Sequence, residues 1–280
     1  MNIAYIITGL GIGGAERVTV DIANRISGLG NNVIIIYLTG ENLHKPDINA
    51  SVKTFALNMK KTPWSFIRAI FKSREILKSF SPNVVHGQMF HANIFARILK
   101  IFYKMPKLIS TEHNIGNNFR MFVYRITDFL SDFNSNVSES ATSCFIKQKA
   151  FSKSKSLTVY NGIDLSKFKI NYIARKYIRK QYNIREKEFV FLNVGRLTLQ
   201  KDHENLLKAF SFLIKYELKA KLMIVGSGEL LQELKEFACK EKIEDYVIFA
   251  GSQNNIKDYY SAADCFVLSS SLKTFLKQSH

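Results

Sequence analysis

Short apolar, β-branched runs alternate with amphipathic segments along the chain, and this alternation limits the fold more than any other feature. The runs fall at residues 2–8, 32–38, 52–57, 83–86, 107–111, 133–137 and 157–160. A second series occupies 188–194, 221–225, 246–249 and 265–268. Between them lie stretches of helical periodicity, such as 15–29, 64–80, 91–103, 204–216 and 229–240. Strand and helix in alternation build parallel sheets with helices on both faces. The expected fold class is therefore α/β. Hydrophobic residues make up 46% of the 280 and charged residues 22%, which supplies a core and excludes wholesale disorder.

The pattern restarts once. The turn signal Asn161-Gly162-Ile163-Asp164 precedes a polar, basic stretch without a clean strand, and a new strand opens at Glu188. The expected organisation is a Rossmann-like domain at 1–165, a linker at 166–187 and a second, shorter Rossmann-like domain at 188–280.

Charge and cysteine narrow the classes further. Forty basic and 23 acidic residues leave a net charge of +17, spread as +10 over residues 1–165 and +7 over 166–280. Such a charge attracts phosphate in nucleotides, nucleic acid or anionic lipid. No nucleic-acid module is recognisable and the charge is not focused on one element, so nucleic acid is not expected as a partner. Cys144, Cys239 and Cys265 form neither a zinc pattern nor a disulfide framework. The N-terminus lacks a positive region ahead of its apolar run, and no apolar stretch approaches the ~18 residues that span a bilayer. A cytoplasmic chain is expected.

Two loops carry the chemistry. The first strand runs into Gly9-Leu10-Gly11-Ile12-Gly13-Gly14-Ala15-Glu16-Arg17 and then a helix. Glycines let backbone approach a ligand, and a helix N-terminus supplies free N–H groups, so together they suit a diphosphate. Gly9, Gly11 and Gly14 also satisfy G-x-G-x-x-G, with Glu41 past the second strand where a ribose-binding acid would stand, so a dinucleotide-dependent oxidoreductase stays open. A tight turn without a ligand gives the same spacing. In the second domain, the strand ending at Val194 leads into Gly195-Arg196-Leu197-Thr198-Leu199-Gln200-Lys201-Asp202. Ligands of open parallel sheets bind beyond the C-terminal strand ends. Arg196 and Lys201 there offer a planar fork and a point charge for a leaving diphosphate. Taken on charge alone, they are two solvated cations among forty. Further polar strand ends lie at Gly226-Ser227-Gly228-Glu229 and at Gly251-Ser252-Gln253-Asn254. A cleft between two such domains would suit a nucleotide-activated substrate.

In this order and at these spacings the chain resembles the family-4 retaining glycosyltransferases of the GT-B fold. The resemblance rests on Gly13-Gly14-Ala15-Glu16-Arg17, residues 82–86, 110–114, 160–164 and 195–202, and residues 225–229, 262–264 and 266–270. The opening motif is similar to enzymes that build bacterial surface polysaccharides, lipopolysaccharide among them, or glycan-lipid intermediates. The resemblance implies sugar transfer from a nucleotide sugar, with retention and without a bound metal or other cofactor. His113 matches the family's active-site His. Position alone does not choose among His86, His91 and His113, and a lone His at a strand end is more often structural. Gly13 and Gly14 would face the donor phosphates. Arg196 and Lys201 match the pair on the donor diphosphate, and Gly226, Gly228 and Glu229 a loop beside the donor. Ser252, Gln253 and Asn254 lie where the family holds the base.

One departure stands out. After the last strand the family carries a Glu-x7-Glu motif, whereas residues 269–280 contain no acid. The resemblance thus implies a chain truncated in its donor domain and weakly active or inactive. One compatible set of codons for 272–279, shifted in frame, restores a family-like Glu-Asn-Phe-Pro, so a frameshifted tail is also expected. A remnant that binds only a membrane or a partner is the second alternative. Residues 60–74 mix Lys and Arg with Trp64, Phe66 and Phe71. On a helix they fit an anionic membrane surface, and equally a core helix with a solvated basic face. A lipid-linked or other glycan acceptor would suit the first case.

Overall fold

The computed structural model describes residues 1–11, 13–163, 165, 168–216 and 218–270. Asp164 of the expected turn, the start of the expected linker at 166 and 167, and the tail at 271–280 lie outside the described residues. The tail includes most of the span where the Glu-x7-Glu motif and the frameshift were expected.

The chain divides into two compact units, one of Met1–Gly162 and one beginning at Ile163. In the first, seven strands form one parallel sheet: β1 (Asn2–Ile7), β2 (Asn32–Tyr37), β3 (Lys53–Ala56), β4 (Val84–Gln88), β5 (Leu108–Glu112), β6 (Phe133–Asn136) and β7 (Ser156–Thr158). Their order is β3-β2-β1-β4-β5-β6-β7, the doubly wound order. The connecting helices are α1 (Gly14–Gly28), α2 (Pro63–Phe80), α3 (Phe90–Phe102), α4 (Asn118–Thr127) and α5 (Glu139–Lys147). Central strands are apolar on both faces because both faces are covered. Ala4, Ile6, Ile34, Ile36 and Val85 pack with Ile70, Leu77, Phe95 and Leu99 of α2 and α3. The alternate residues Tyr5, Ile7, Val33 and Ile35 pack with Val20 and Ala23 of α1. A one-residue slip of β1 would exchange these two faces.

The second unit repeats the scheme with α6 (Tyr172–Gln181), β8 (Phe189–Val194), α7 (His203–Lys215), β9 (Ala220–Val225), α8 (Leu231–Lys240), β10 (Val247–Gly251), α9 (Ile256–Ala262) and β11 (Cys265–Phe266). Its four described strands are parallel in the order β10-β9-β8-β11. Leu222 and Ile224 pack on α7 and α8, while Met223 and Val225 pack with Ile178 of α6 and Tyr259 of α9.

The residues expected to link the domains thus contain a helix of the second unit. Asn171 caps α6, accepting from the N–H groups of Ile173 and Ala174. Arg175 donates to the carbonyls of Ser261, Ala262 and Ala263, closing the C-terminus of α9, and reaches Asp264 Oδ1 at 2.6 Å. Arg179, on the same face one turn on, reaches Asp264 Oδ2 at 3.3 Å. The basic residues that make the stretch look like linker are what tie it down.

Candidate functional site

In a doubly wound sheet the binding edge lies where strand order reverses, at the C-terminal ends of the strands. In the first unit that point is between β1 and β4. The glycine loop leaves β1 there. Gly13 is the N-cap of α1 and Gly14 its first residue. A side chain at Gly13 would overlap the carboxylate of Glu16, which folds back over the first turn, while Gly11 and Gly14 face open space. The loop is pinned from the far side: Leu10 bridges Asn42, and His44 Nε2 lies 3.0 Å from Gly11 O. Glu41 is exposed in that adjoining turn.

Beside the loop, β4 and β5 end in a chain of polar contacts. His113 Nε2 lies 2.8 Å from Gln88 Oε1, and Gln88 Nε2 lies 3.2 Å from His86 Nε2. His86 Nε2 also lies 2.6 Å from Thr111 Oγ1, which is 2.6 Å from Ser135 Oγ. An amide oxygen only accepts, so His113 Nε2 carries the proton and its Nδ1 is left as the acceptor. The amide nitrogen only donates, so His86 accepts at Nε2 and holds its proton on Nδ1. The His86 ring, accepting at Nε2, is therefore neutral in this network. Burial pushes the His86 pKa down to about 4, protonation of neighbouring His113 also lowering it, and burial lowers His113 as well. His91 stands apart from the chain, exposed on the first turn of α3. The three histidines that sequence position leaves equivalent thus have three different surroundings.

Glu112 fixes the turn that presents His113. Its Oε1 accepts from the N–H groups of His113 and Asn114 at 3.0 and 3.4 Å, and its Oε2 accepts from Tyr124 OH at 2.8 Å. Burial pushes its carboxyl up against these hydrogen bonds. Met89, directly after β4, holds φ 73° and ψ 158°, a region that non-glycine residues rarely enter. Its N–H donates to Thr111 O at 3.0 Å, which ties the strained turn to β5.

In the second unit strand order reverses between β8 and β11. The loop after β8 carries Arg196, exposed, and Lys201, half-buried. The Lys201 stem lies along Gly195, where an added Cβ would be 3.7 Å from its Cε. Gly226 and Gly228 are required by packing. Gly226 holds φ +148°, and a Cβ on it would overlap Gly195 O; a Cβ on Gly228 would overlap Leu197 O. The backbones interlock: Leu197 N–H donates to Ser227 O at 3.0 Å, and Gly226 N–H to Gly251 O at 2.8 Å. Three strand-end loops are thereby held side by side. Ser252 Oγ lies 2.8 Å from Ser227 Oγ, Gln253 turns back to Ala250 O, and Glu229 and Asn254 are exposed. From β11, Ser269 Oγ donates to Lys201 O at 2.8 Å. Buried His203 completes the brace, its Nε2 3.0 Å from Asn193 Oδ1, while Asn193 Nδ2 donates to Val267 O.

A sequence-family model described as Glycosyltransferase Family 4 matches residues 12–167, more than half of the chain, and one described as Glycosyl transferases group 1 matches residues 174–275. The chain belongs to glycosyltransferase family 4. It is 27% identical over 242 residues to an alpha-monoglucosyldiacylglycerol synthase of Streptococcus pneumoniae, covering 80% of this chain and 54% of the synthase. The chain thus spans about half the length of that relative. It is 28% identical to the Escherichia coli O-antigen biosynthesis glycosyltransferase WbnH, over 92% of this chain and 72% of WbnH. Among solved structures, Anabaena HepE in complex with UDP and glucose superposes with a TM-score of 0.82 at 17% identity, covering 96% of this chain and 74% of HepE. The GT-B fold expected from the resemblance is the fold found.

Membership in the family leaves the oxidoreductase reading of the glycine loop without support. Sequence reasoning singled out Arg196, Lys201 and His113 as candidates but not the groups that the structure places around them. Gln88 and Glu112 stood within or beside matching stretches, yet nothing in their spacing says which atom each would hold. His203 and Asn193 carried no signal at all: each becomes polar partner to the other only through the fold.

Proposed function

We propose that this protein transfers a sugar, with retention, from a UDP-linked donor to a glycan or lipid-linked acceptor in surface-polysaccharide synthesis. The observation that carries the reading is the interlocked loop set after β8, β9 and β10, which holds Arg196 and Lys201 at the binding edge of the second sheet. Arg196 and Lys201 meet the donor diphosphate and neutralise the charge that develops as it leaves. Ser252, Gln253 and Asn254 take the base, and Gly226, Gly228 and Glu229 border the donor. In the first unit Gly13 and Gly14 face the phosphates. His113 presents Nδ1 beside the transferred sugar. The HepE complex with UDP and glucose supports a UDP-linked donor, and WbnH and the alpha-monoglucosyldiacylglycerol synthase support glycan and lipid-linked acceptors.

Residues 269–280 offer no carboxylate to the donor sugar. Affinity for the donor is therefore expected to come chiefly from the diphosphate. Calorimetry with UDP, UDP-glucose and NAD tests this. UDP and UDP-glucose should bind alike, NAD should not, and Arg196→Ala should weaken UDP at least tenfold, about the 1.4 kcal/mol of one charge-assisted contact. NAD binding, or UDP binding indifferent to Arg196, would refute the donor site. Soluble, folded protein that binds neither would leave a non-catalytic remnant as the reading.

A further inference from the structure

The charge of the first unit is concentrated on one part of it. Residues 60–127 carry twelve Lys and Arg and two acids, while the rest of residues 1–165 carries eight of each. Arg97 and Glu112 are buried and Lys100 is paired with Asp132 at 2.6 Å, so ten cations and only Glu75 of these residues face outward from α2, α3, α4 and the turns that join them. The same helices leave large apolar side chains in solvent. Trp64 is 81% exposed and Phe71 54% on α2; Phe119 is 67% and Phe122 54% exposed on α4. On α4, Met121 and Tyr124 fill the core, while Phe119, Phe122 and Ile126 recur at three- and four-residue spacing along the outer face. A helix apolar on its inner and outer faces meets two different apolar media. The helix starts also lie together. Arg120 of α4 lies over the ring of Phe90 of α3 at 5.0 Å. Burial, then the charges of Arg120 and Lys61, push the His91 pKa down between them.

We propose that this basic, aromatic face of α2, α3 and α4 docks on an anionic lipid bilayer. Its rings enter the headgroup–acyl boundary and its Lys and Arg side chains meet lipid phosphate. Charge complementarity selects the occupant: ten outward cations need a polyanion, and the aromatic stripe needs an apolar layer beneath it. Nucleic acid would supply only the first. In a parallel α/β unit the helices start at the C-terminal strand edge, which in this unit bears Gly13, Gly14 and His113. Docking would bring that edge close to the lipid. The consequence that the acceptor is lipid-linked rests on the transferase reading; the docking does not.

Trp64 is the one tryptophan in the chain, so its fluorescence reports directly on the surface. The full chain is titrated with phosphatidylcholine vesicles, with and without phosphatidylglycerol. Emission should shift to the blue only with phosphatidylglycerol, brominated acyl chains should quench it, and added salt should weaken the binding. The pair Phe119→Ser and Phe122→Ser, checked for folding by circular dichroism, should lower vesicle affinity about tenfold or more with UDP affinity unchanged. The pair Lys235→Glu and Lys240→Glu, exposed on α8, should leave vesicle binding as it was. No shift with phosphatidylglycerol vesicles would overturn the proposal. So would equal loss from the α8 pair, or a Trp64 response to single-stranded RNA in place of vesicles.

Discussion

Single atoms decide much at the strand edge of the first unit. The His113–Gln88 hydrogen bond selects the Nε2–H tautomer of His113 and frees Nδ1. Long-range 1H–15N spectra of histidine-labelled protein should show that tautomer in the wild type and its loss in Gln88→Leu. A wild-type Nδ1–H tautomer would contradict the assignment. His86 gives a pH effect with a definite sign. Its folded pKa, about 4, lies below the ordinary value of ~6.5, so neutral His86 favours the fold. That contribution is complete above the unfolded value and is lost as pH falls from there through the folded value. Urea midpoints should therefore drop between pH 7 and pH 4, with His86 titrating last among the ring signals. The glycines of the second unit contrast with those of the first. Gly226 and Gly228 touch neighbouring backbone, so Gly226→Ala and Gly228→Ala should each destabilise by about 2 kcal/mol or more. Gly14 faces open space, so alanine there should leave stability nearly unchanged. Equal urea midpoints across the three variants would contradict this division.

Elements were legible where apolar period and length were both strong. All eleven described strands lie within a residue or two of the runs read from the sequence; the central ones are apolar enough to be buried by helices on both sides, while β3 and β7, at the sheet edge, are only half-buried or exposed. Helices α4, α5, α6 and α9 were not read. The first three begin at side-chain caps, Asn117, Ser138 and Asn171, each accepting from the N–H groups of the first turn. A cap residue is equally a loop residue until the helix behind it is known. In α6 the polar composition reads as linker because its stabilising contacts are carbonyls and one carboxylate of α9 and the turn after it. Burial pushes the Asp264 carboxyl up, but hydrogen bonds from Arg175, Val190 N–H and Arg179 hold it below the usual carboxylate range. Arg175→Ala should cost about 2 kcal/mol at neutral pH. The loss should shrink as pH falls through the folded pKa of Asp264, because the protonated acid has no ion pair left to lose. A penalty constant down to pH 3 would show that the carbonyl contacts, and not the pair, carry the stability.

At the scale of the molecule, the same doubly wound plan occurs twice. Each unit brings its candidate loops to the C-terminal strand edge near the point where its strand order reverses: the glycine loop between β1 and β4 with His113 at the end of neighbouring β5, and Arg196 and Lys201 in the loop after β8, next to β11. That much was legible in the alternation and in the residues that leave each strand end. The bracing was not, since Asn193, His203, Gln88 and Glu112 act through partners distant in sequence. Hydrogen exchange with and without UDP tests most directly that the second sheet's loop set holds the diphosphate. Protection is expected at residues 195–202, 226–229 and 252–254, and it should vanish in Arg196→Ala. Protection confined to residues 9–17, or unchanged by that substitution, would contradict the account.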